Sequence, residues 1–188
     1  MKVCIVAEGC YPYVVGGVSG WINSMIKSFP NIEFILLTIV ANRSVRGKFV
    51  YELPENLTQV YELYLEDCEW EEGERERKVR KRFHLSKKER TELTNLVMNR
   101  KIEWGVIFDL FQRKGVSVDD LLMGPDFFQI VQECYKRQYA NIVFSDFLWT
   151  MRSIYLPLFW TLKMKVPQAD LYHCVATGYA GVLGSMAK

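Results

Sequence analysis

The 188-residue sequence has no C-x-x-C pair, and its five cysteines (Cys4, Cys10, Cys68, Cys134 and Cys174) form an odd, scattered set beside only two histidines, His84 and His173. That argues against a disulfide scaffold and offers no spacing suited to a metal ion, so reduced, cytosolic thiols are the simplest expectation. Charge of one sign is also missing. With 24 basic and 22 acidic residues the net charge is +2, and so weak a field gives no general case for nucleic-acid binding. Long apolar runs are absent too. The apolar start after Met1-Lys2 is too short for an export signal. The aromatic stretch 147–162 falls short of the roughly 20 residues needed to span hydrocarbon and is interrupted by Arg152 and Pro157. It reads as a core helix kinked at the proline, with contact to a membrane partner as the lesser alternative.

What is present is a globular composition, 49% hydrophobic, in a chain long enough for a full core. Lys2–Ala7 and Glu33–Val40 are the continuous β-branched runs of strands covered on both faces, and residues 18–29 between them have helical spacing. The unit predicted is β-α-β, right-handed. Residues 49–53 and 59–65 are further strand candidates, separated by a Pro54-Glu55-Asn56 turn.

An acid-rich stretch, 66–76, then runs into a base-rich one, 75–90. The basic run Arg75 to Phe83 reads mainly as a solvated, acid-paired helix face, with docking against a membrane-embedded partner as the alternative. Ser86 and Glu89 have the spacing of a capping box, which predicts a helix start and an apolar face through Leu93, Leu96, Val97 and Ile102. Residues 104–112 predict a second helix ended by Gly115, Ser117 and Gly124-Pro125 are further starts, and 127–139 again has helical spacing. Residues 86–163 are therefore expected to be a mostly helical insertion. Strand character returns over 170–176, followed by a small-residue helix over 179–187.

The most informative segment is the turn after the first strand, Glu8-Gly9-Cys10-Tyr11-Pro12-Tyr13-Val14-Val15-Gly16-Gly17-Val18-Ser19-Gly20. Bare Gly-Gly backbone entering a helix lets a phosphate or sugar approach main-chain N–H groups at the positive end of the helix dipole. The alternative is structural, with Gly16 and Gly17 present because the backbone needs positive φ. The spelling is neither G-x-G-x-x-G nor a P-loop, and no acidic residue ends the second strand, which disfavours a dinucleotide oxidoreductase. His173 belongs to the end of a later strand, where a lone histidine is most often a hydrogen-bonded core residue; the functional alternative is an imidazole that meets a sugar hydroxyl or a developing charge. Glu8, near the first strand's end, reads equally as a group that orients a hydroxyl and as a surface carboxylate.

The run from Glu8 to Trp21, taken together with Asp170-Leu-Tyr-His-Cys-Val-Ala-Thr-Gly-Tyr-Ala-Gly-Val-Leu-Gly184, resembles the N-terminal part of the PelF-type glycosyltransferases of Pel exopolysaccharide synthesis, within glycosyltransferase family 4. The resemblance covers the whole chain. It implies a GT-B enzyme with two Rossmann-like domains, of which residues 1–188 would be the N-terminal, acceptor-side one, followed by a C-terminal domain that holds the nucleotide. It further implies retaining transfer from a nucleotide sugar, expected to be UDP-linked, to a growing polysaccharide, with no cofactor or catalytic metal. Gly16 and Gly17 would lie against the donor phosphate or acceptor, and His173 would contact the transferred sugar; the N–H dipoles of Gly17 and Val18 would then stabilise the charge of the leaving diphosphate. A cytoplasmic location, peripheral at the inner membrane through Pel machinery, would follow. A paired-glutamate motif of that family is not found here, so this stretch would form half a site and be inactive alone. The alternative from another class is a partner-docking module using Phe147 to Trp160.

Overall fold

The computed structural model describes residues 1–68 and 83–188. The acidic and basic runs between residues 69 and 82 lie outside the described residues. Two compact units are formed, one by Met1–Cys68 with Lys165–Lys188, the other by the described part of Glu69–Met164.

The first unit is a mixed α/β domain of Rossmann-like type. Strand β1 (Lys2–Glu8) is followed by helix α1 (Gly17–Ser28) and strand β2 (Glu33–Val40). Strand β3 (Leu57–Tyr64) comes next, and strand β4 (Leu171–Cys174) and helix α7 (Tyr179–Ala187) return after the helical insertion. The four strands form one parallel sheet in the order β3-β2-β1-β4. The middle strands are buried nearly throughout, which is why β1 and β2 read as uninterrupted apolar runs, whereas edge strand β3 exposes Thr58, Gln59 and Tyr61.

Alternation along β1 divides the core. Val3, Ile5 and Ala7 face Ile22 and Ile26 of α1, together with Phe34, Leu36 and Tyr11. Cys4, Val6 and Glu8 point to the other face, where α7 lies. Register carries the alternation into β4: Ile5 pairs with His173 and Val6 with Cys174, so His173 shares the α1 face and Cys174 the α7 face.

Residues 49–53 are not a strand. The Val50 N–H donates to the Pro12 carbonyl at 2.9 Å, and Tyr51 and Leu53 pack beneath the glycine turn, so this backbone braces a loop instead of extending the sheet. Strand β3 begins at Leu57, past Pro54, and occupies the edge.

The second unit is helical: α2 (Lys87–Val97), α3 (Trp104–Gln112), α4 (Val118–Leu122), α5 (Pro125–Cys134) and α6 (Phe144–Lys163). The Ser86–Glu89 capping box is formed reciprocally, and α2 buries Glu89, Leu93 and Val97. Ile102 lies beyond it, because Asn99 in the left-handed region (φ 51°) ends the helix direction. Helix α5 passes into a π-helical turn at Tyr135–Tyr139. Helix α6 buries Phe147, Met151, Tyr155, Leu156, Phe159 and Leu162, and Pro157 lies inside it. Proline leaves the Ser153 carbonyl without its helical donor, a small cost because Ser153 is solvent-exposed. No helix among the described residues is long and apolar enough to cross a membrane.

Candidate functional site

The sheet order makes β1 and β4 a switch point. Successive strands run outward from β1 through β2 to β3, and then the chain returns to β1's other side with β4. The connections leaving the carboxyl ends of β1 and β4 diverge there, and that crevice is where open α/β sheets take ligands.

The turn after β1 is held from several directions. The Gly9 N–H donates to the Ile39 carbonyl at 2.9 Å, and the Tyr13 and Val14 N–H groups both donate to the Cys10 carbonyl. The Tyr13 hydroxyl donates to the Glu62 carboxylate, and the rings of Tyr11 and Tyr51 meet at 5.3 Å. The Thr38 hydroxyl donates to the Tyr11 carbonyl at 3.2 Å. Burial, with Tyr51 beside it, pushes the Tyr11 phenol up to about 12, so it remains neutral.

At the end of this braced turn the two glycines have no conformational reason to be glycine. Gly16 is extended (φ 179°, ψ 175°), and neither Gly16 nor Gly17 is among the positive-φ residues, which rules out the structural explanation based on positive φ. Packing does not demand them either: a Cβ at Gly16 or Gly17 would meet nothing within 4 Å. The Gly16 N–H lies 3.4 Å from the Tyr51 hydroxyl. No side chain caps α1, so the N–H groups of its first turn, beginning at Gly17 and Val18, are unpaired within the helix and directed outward.

The start of α1 borders a cavity of about 410 Å³ lined by Gly17, Val18, Trp21, His173, Cys174 and Val175. The structure thus brings Gly17, Val18 and His173 to one place, while Gly16 is adjacent and turned toward Tyr51. The His173 ring rests against the Trp21 indole, with centroids 5.5 Å apart and planes inclined by 37°. Trp21 is the residue that the sequence pattern did not single out. Its signal was helical spacing, since position 21 is three and four residues beyond Val18 and Gly17 and shares their side of α1.

Glu8 is not brought to this cavity. Its side chain lies on the α7 face, where its carboxylate accepts a hydrogen bond from the Ala180 N–H at 3.3 Å. Gly178 makes room for it: a Cβ there would approach the Glu8 carboxylate oxygens to 2.8 and 3.1 Å. Glu8 therefore serves the start of α7, on the side of the sheet opposite His173. Cys174 contributes no nucleophile, since burial pushes its thiol up and keeps it protonated at neutral pH. Among the described residues no three His, Cys, Asp or Glu side chains converge as metal ligands would.

The assembled site is a concave, partly aromatic wall with one imidazole and a set of main-chain donors at a helix start, an arrangement able to hold an anion beside a ring. No curated protein and no solved structure matches the chain. A family match extends over residues 1–188, and the chain belongs to the family described as "Domain of unknown function (DUF3492)".

Proposed function

We propose that this chain is the N-terminal, acceptor-side part of a PelF-type glycosyltransferase of family 4, which moves a sugar from a UDP-linked donor to a growing exopolysaccharide. The observation that carries the reading is the Gly16-Gly17 turn, free of any packing or dihedral need for glycine, standing beside His173 at the switch point of the sheet.

The chemistry fits what these residues offer. As the bond between the anomeric carbon and the diphosphate breaks, negative charge accumulates on the leaving phosphate, and an acceptor hydroxyl oxygen bonds to the anomeric carbon with retention of configuration while its proton passes to the leaving phosphate. Preoriented N–H dipoles at Gly17 and Val18 stabilise that charge more in the transition state than in the ground state, which is what raises the rate. His173 contacts the transferred sugar. A second α/β domain supplies most of the nucleotide grip, so the isolated chain binds uridine diphosphate weakly and turns over nothing. Membrane-embedded Pel machinery is the proposed partner, with the protein peripheral at the inner membrane.

The test is nucleotide-sugar hydrolysis or transfer by the parent protein that carries this chain. Gly17→Asp is a discriminating variant, because an aspartate in the first turn of α1 favours the helix while placing negative charge where the phosphate would sit. Gly17→Asp and His173→Ala each remove turnover and leave the thermal melt intact. Unchanged turnover in both variants would sink the proposal.

A further inference from the structure

We infer that Trp21 is the sugar-stacking residue of this site: its indole forms a wall against which the apolar face of a pyranose ring lies while the attached phosphate sits on the Gly17 and Val18 N–H groups. The inference deepens the function proposed above and rests on it for the identity of the ring.

Helix α1 directs Ser19, Ile22 and Ile26 into the protein, and burial of those positions is sufficient to dock it on the sheet. Trp21 is not needed for that purpose, and it remains 50% exposed. The indole lines the open cavity together with His173 and the start of the helix. The imidazole rests against the indole with centroids 5.5 Å apart and planes inclined by 37°, and half of the tryptophan remains exposed. A half-open tryptophan held by a histidine in a 410 Å³ cavity is arranged as a platform, within the size range that takes a small ligand.

Position sets the ligand's order. On a helix, neighbours three and four residues apart lie about 5–6 Å from each other, so the indole stands one ring's reach from the N–H groups of Gly17 and Val18. An anion on those donors places the next group of the same molecule over the indole. Pyranose rings carry C–H bonds of partial positive charge on one face, and the negative face of an aromatic ring attracts them. Selectivity follows from shape: a sugar whose ring hydroxyls are all equatorial presents a flat apolar face, whereas an axial hydroxyl directed at the indole is held off.

The experiment is saturation-transfer NMR on the chain with glucose 1-phosphate, galactose 1-phosphate and uridine monophosphate as separate probes. Saturation is expected on the ring protons of glucose 1-phosphate, with weaker transfer to galactose 1-phosphate, whose 4-hydroxyl is axial. Trp21→Ala abolishes it, Trp21→Phe keeps part of it, and both variants retain the wild-type melt. In the parent protein Trp21→Ala raises KM for the nucleotide sugar about tenfold with little change in kcat, a ratio expected of a single aromatic stack. Equal transfer in wild type and Trp21→Ala, or Trp21-dependent transfer confined to the uracil of uridine monophosphate, overturns the inference. The two readings fail separately. Turnover lost in His173→Ala but indifferent to Trp21 removes the platform and keeps the glycosyltransferase; Trp21-dependent sugar contact in a protein without nucleotide-sugar turnover does the reverse.

Discussion

The Glu8 carboxylate accepts a hydrogen bond from the Ala180 N–H at 3.3 Å and thereby closes the first turn of α7, whose N-cap, Gly178, has no side chain with which to do so. A carboxylate there satisfies an orphan donor and complements the helix dipole. Glu8→Ala is expected to cost about 0.5–2 kcal/mol, the usual loss for a helix cap. Glu8→Gln, which keeps an acceptor and gives up the charge, should cost less. Urea denaturation of the three proteins checks the order. The sugar contact proposed for His173 should be indifferent to both changes, because the two side chains lie on opposite faces of the sheet; an Ala variant that melts like wild type but loses ligand would return Glu8 to the site.

Helix α7 approaches β4 so closely at Gly184 that an added Cβ would overlap the Cys174 sulfur, while the Cys174 Cβ itself is 3.9 Å away. Gly184→Ala should therefore destabilise the chain by about 1–3 kcal/mol, the range for inserting atoms into an occupied, partly buried contact. Removing the obstacle should reverse the effect. In a Cys174→Ala background the same substitution is expected to be nearly neutral, and a double-mutant cycle in urea reads the coupling directly. Additive single-variant costs would show that the helix yields elsewhere.

Much of this architecture is legible in the sequence for a physical reason. The strands β1 and β2 are covered on both faces, so they announce themselves as unbroken apolar runs; Ser86 and Glu89 announce α2 because the capping box is local in the chain. Residues 49–53 mislead because their alternation is spent on another purpose: Phe49 packs on Tyr13 and Tyr51 on Tyr11, under the glycine turn. The site divides the same way. Gly17, Val18 and His173 carry their chemistry in their identity and their place at element ends. Helical spacing puts Trp21 on the side of α1 that carries Gly17 and Val18, but its meeting with His173, like the separation of Glu8 from that ring, depends on the register of β4 against β1, a pairing more than 160 residues apart that no local pattern encodes.

Alkali should unfold the chain through a definable group. Cys4 is fully buried in the central strand, and burial, with Cys174 nearby, pushes its thiol up to about 12 from an ordinary 9.0. The folded state then holds this proton more tightly than the unfolded chain does, so the Cys4 contribution is complete below about pH 9 and falls away between there and pH 12. One such group gives a slope of about 1.4 kcal/mol per pH unit across that window. Stability of Cys4→Ala, lower at neutral pH from the lost packing, should decline less steeply above pH 9. The phenols of Tyr11 and Tyr155, each raised to about 12, add to the slope only above their ordinary 10 and remain in both proteins. Parallel decline of wild type and variant would remove Cys4 from the account.

Helix α6 separates the structural from the docking role expected of its aromatic stretch. Phe159 is fully buried, its ring 4.9 Å from Phe111 and 5.5 Å from Tyr155, and Phe159→Ala is expected to cost about 3–5 kcal/mol. Trp160 also turns its indole nitrogen into a buried position, so Trp160→Ala should lower the melt as well. Trp149 differs: it is half exposed with the Arg152 guanidinium 5.0 Å over its ring, and Trp149→Ala should shift stability by less than about 1 kcal/mol. A docking function for this stretch therefore has to appear in Trp149→Ala or in Ile154→Ala, an exposed residue five positions further along the helix, as loss of partner capture at an unchanged melting temperature. Capture lost only in Phe159→Ala and Trp160→Ala would report unfolding of the helical unit, and the aromatic stretch would then be core and nothing more.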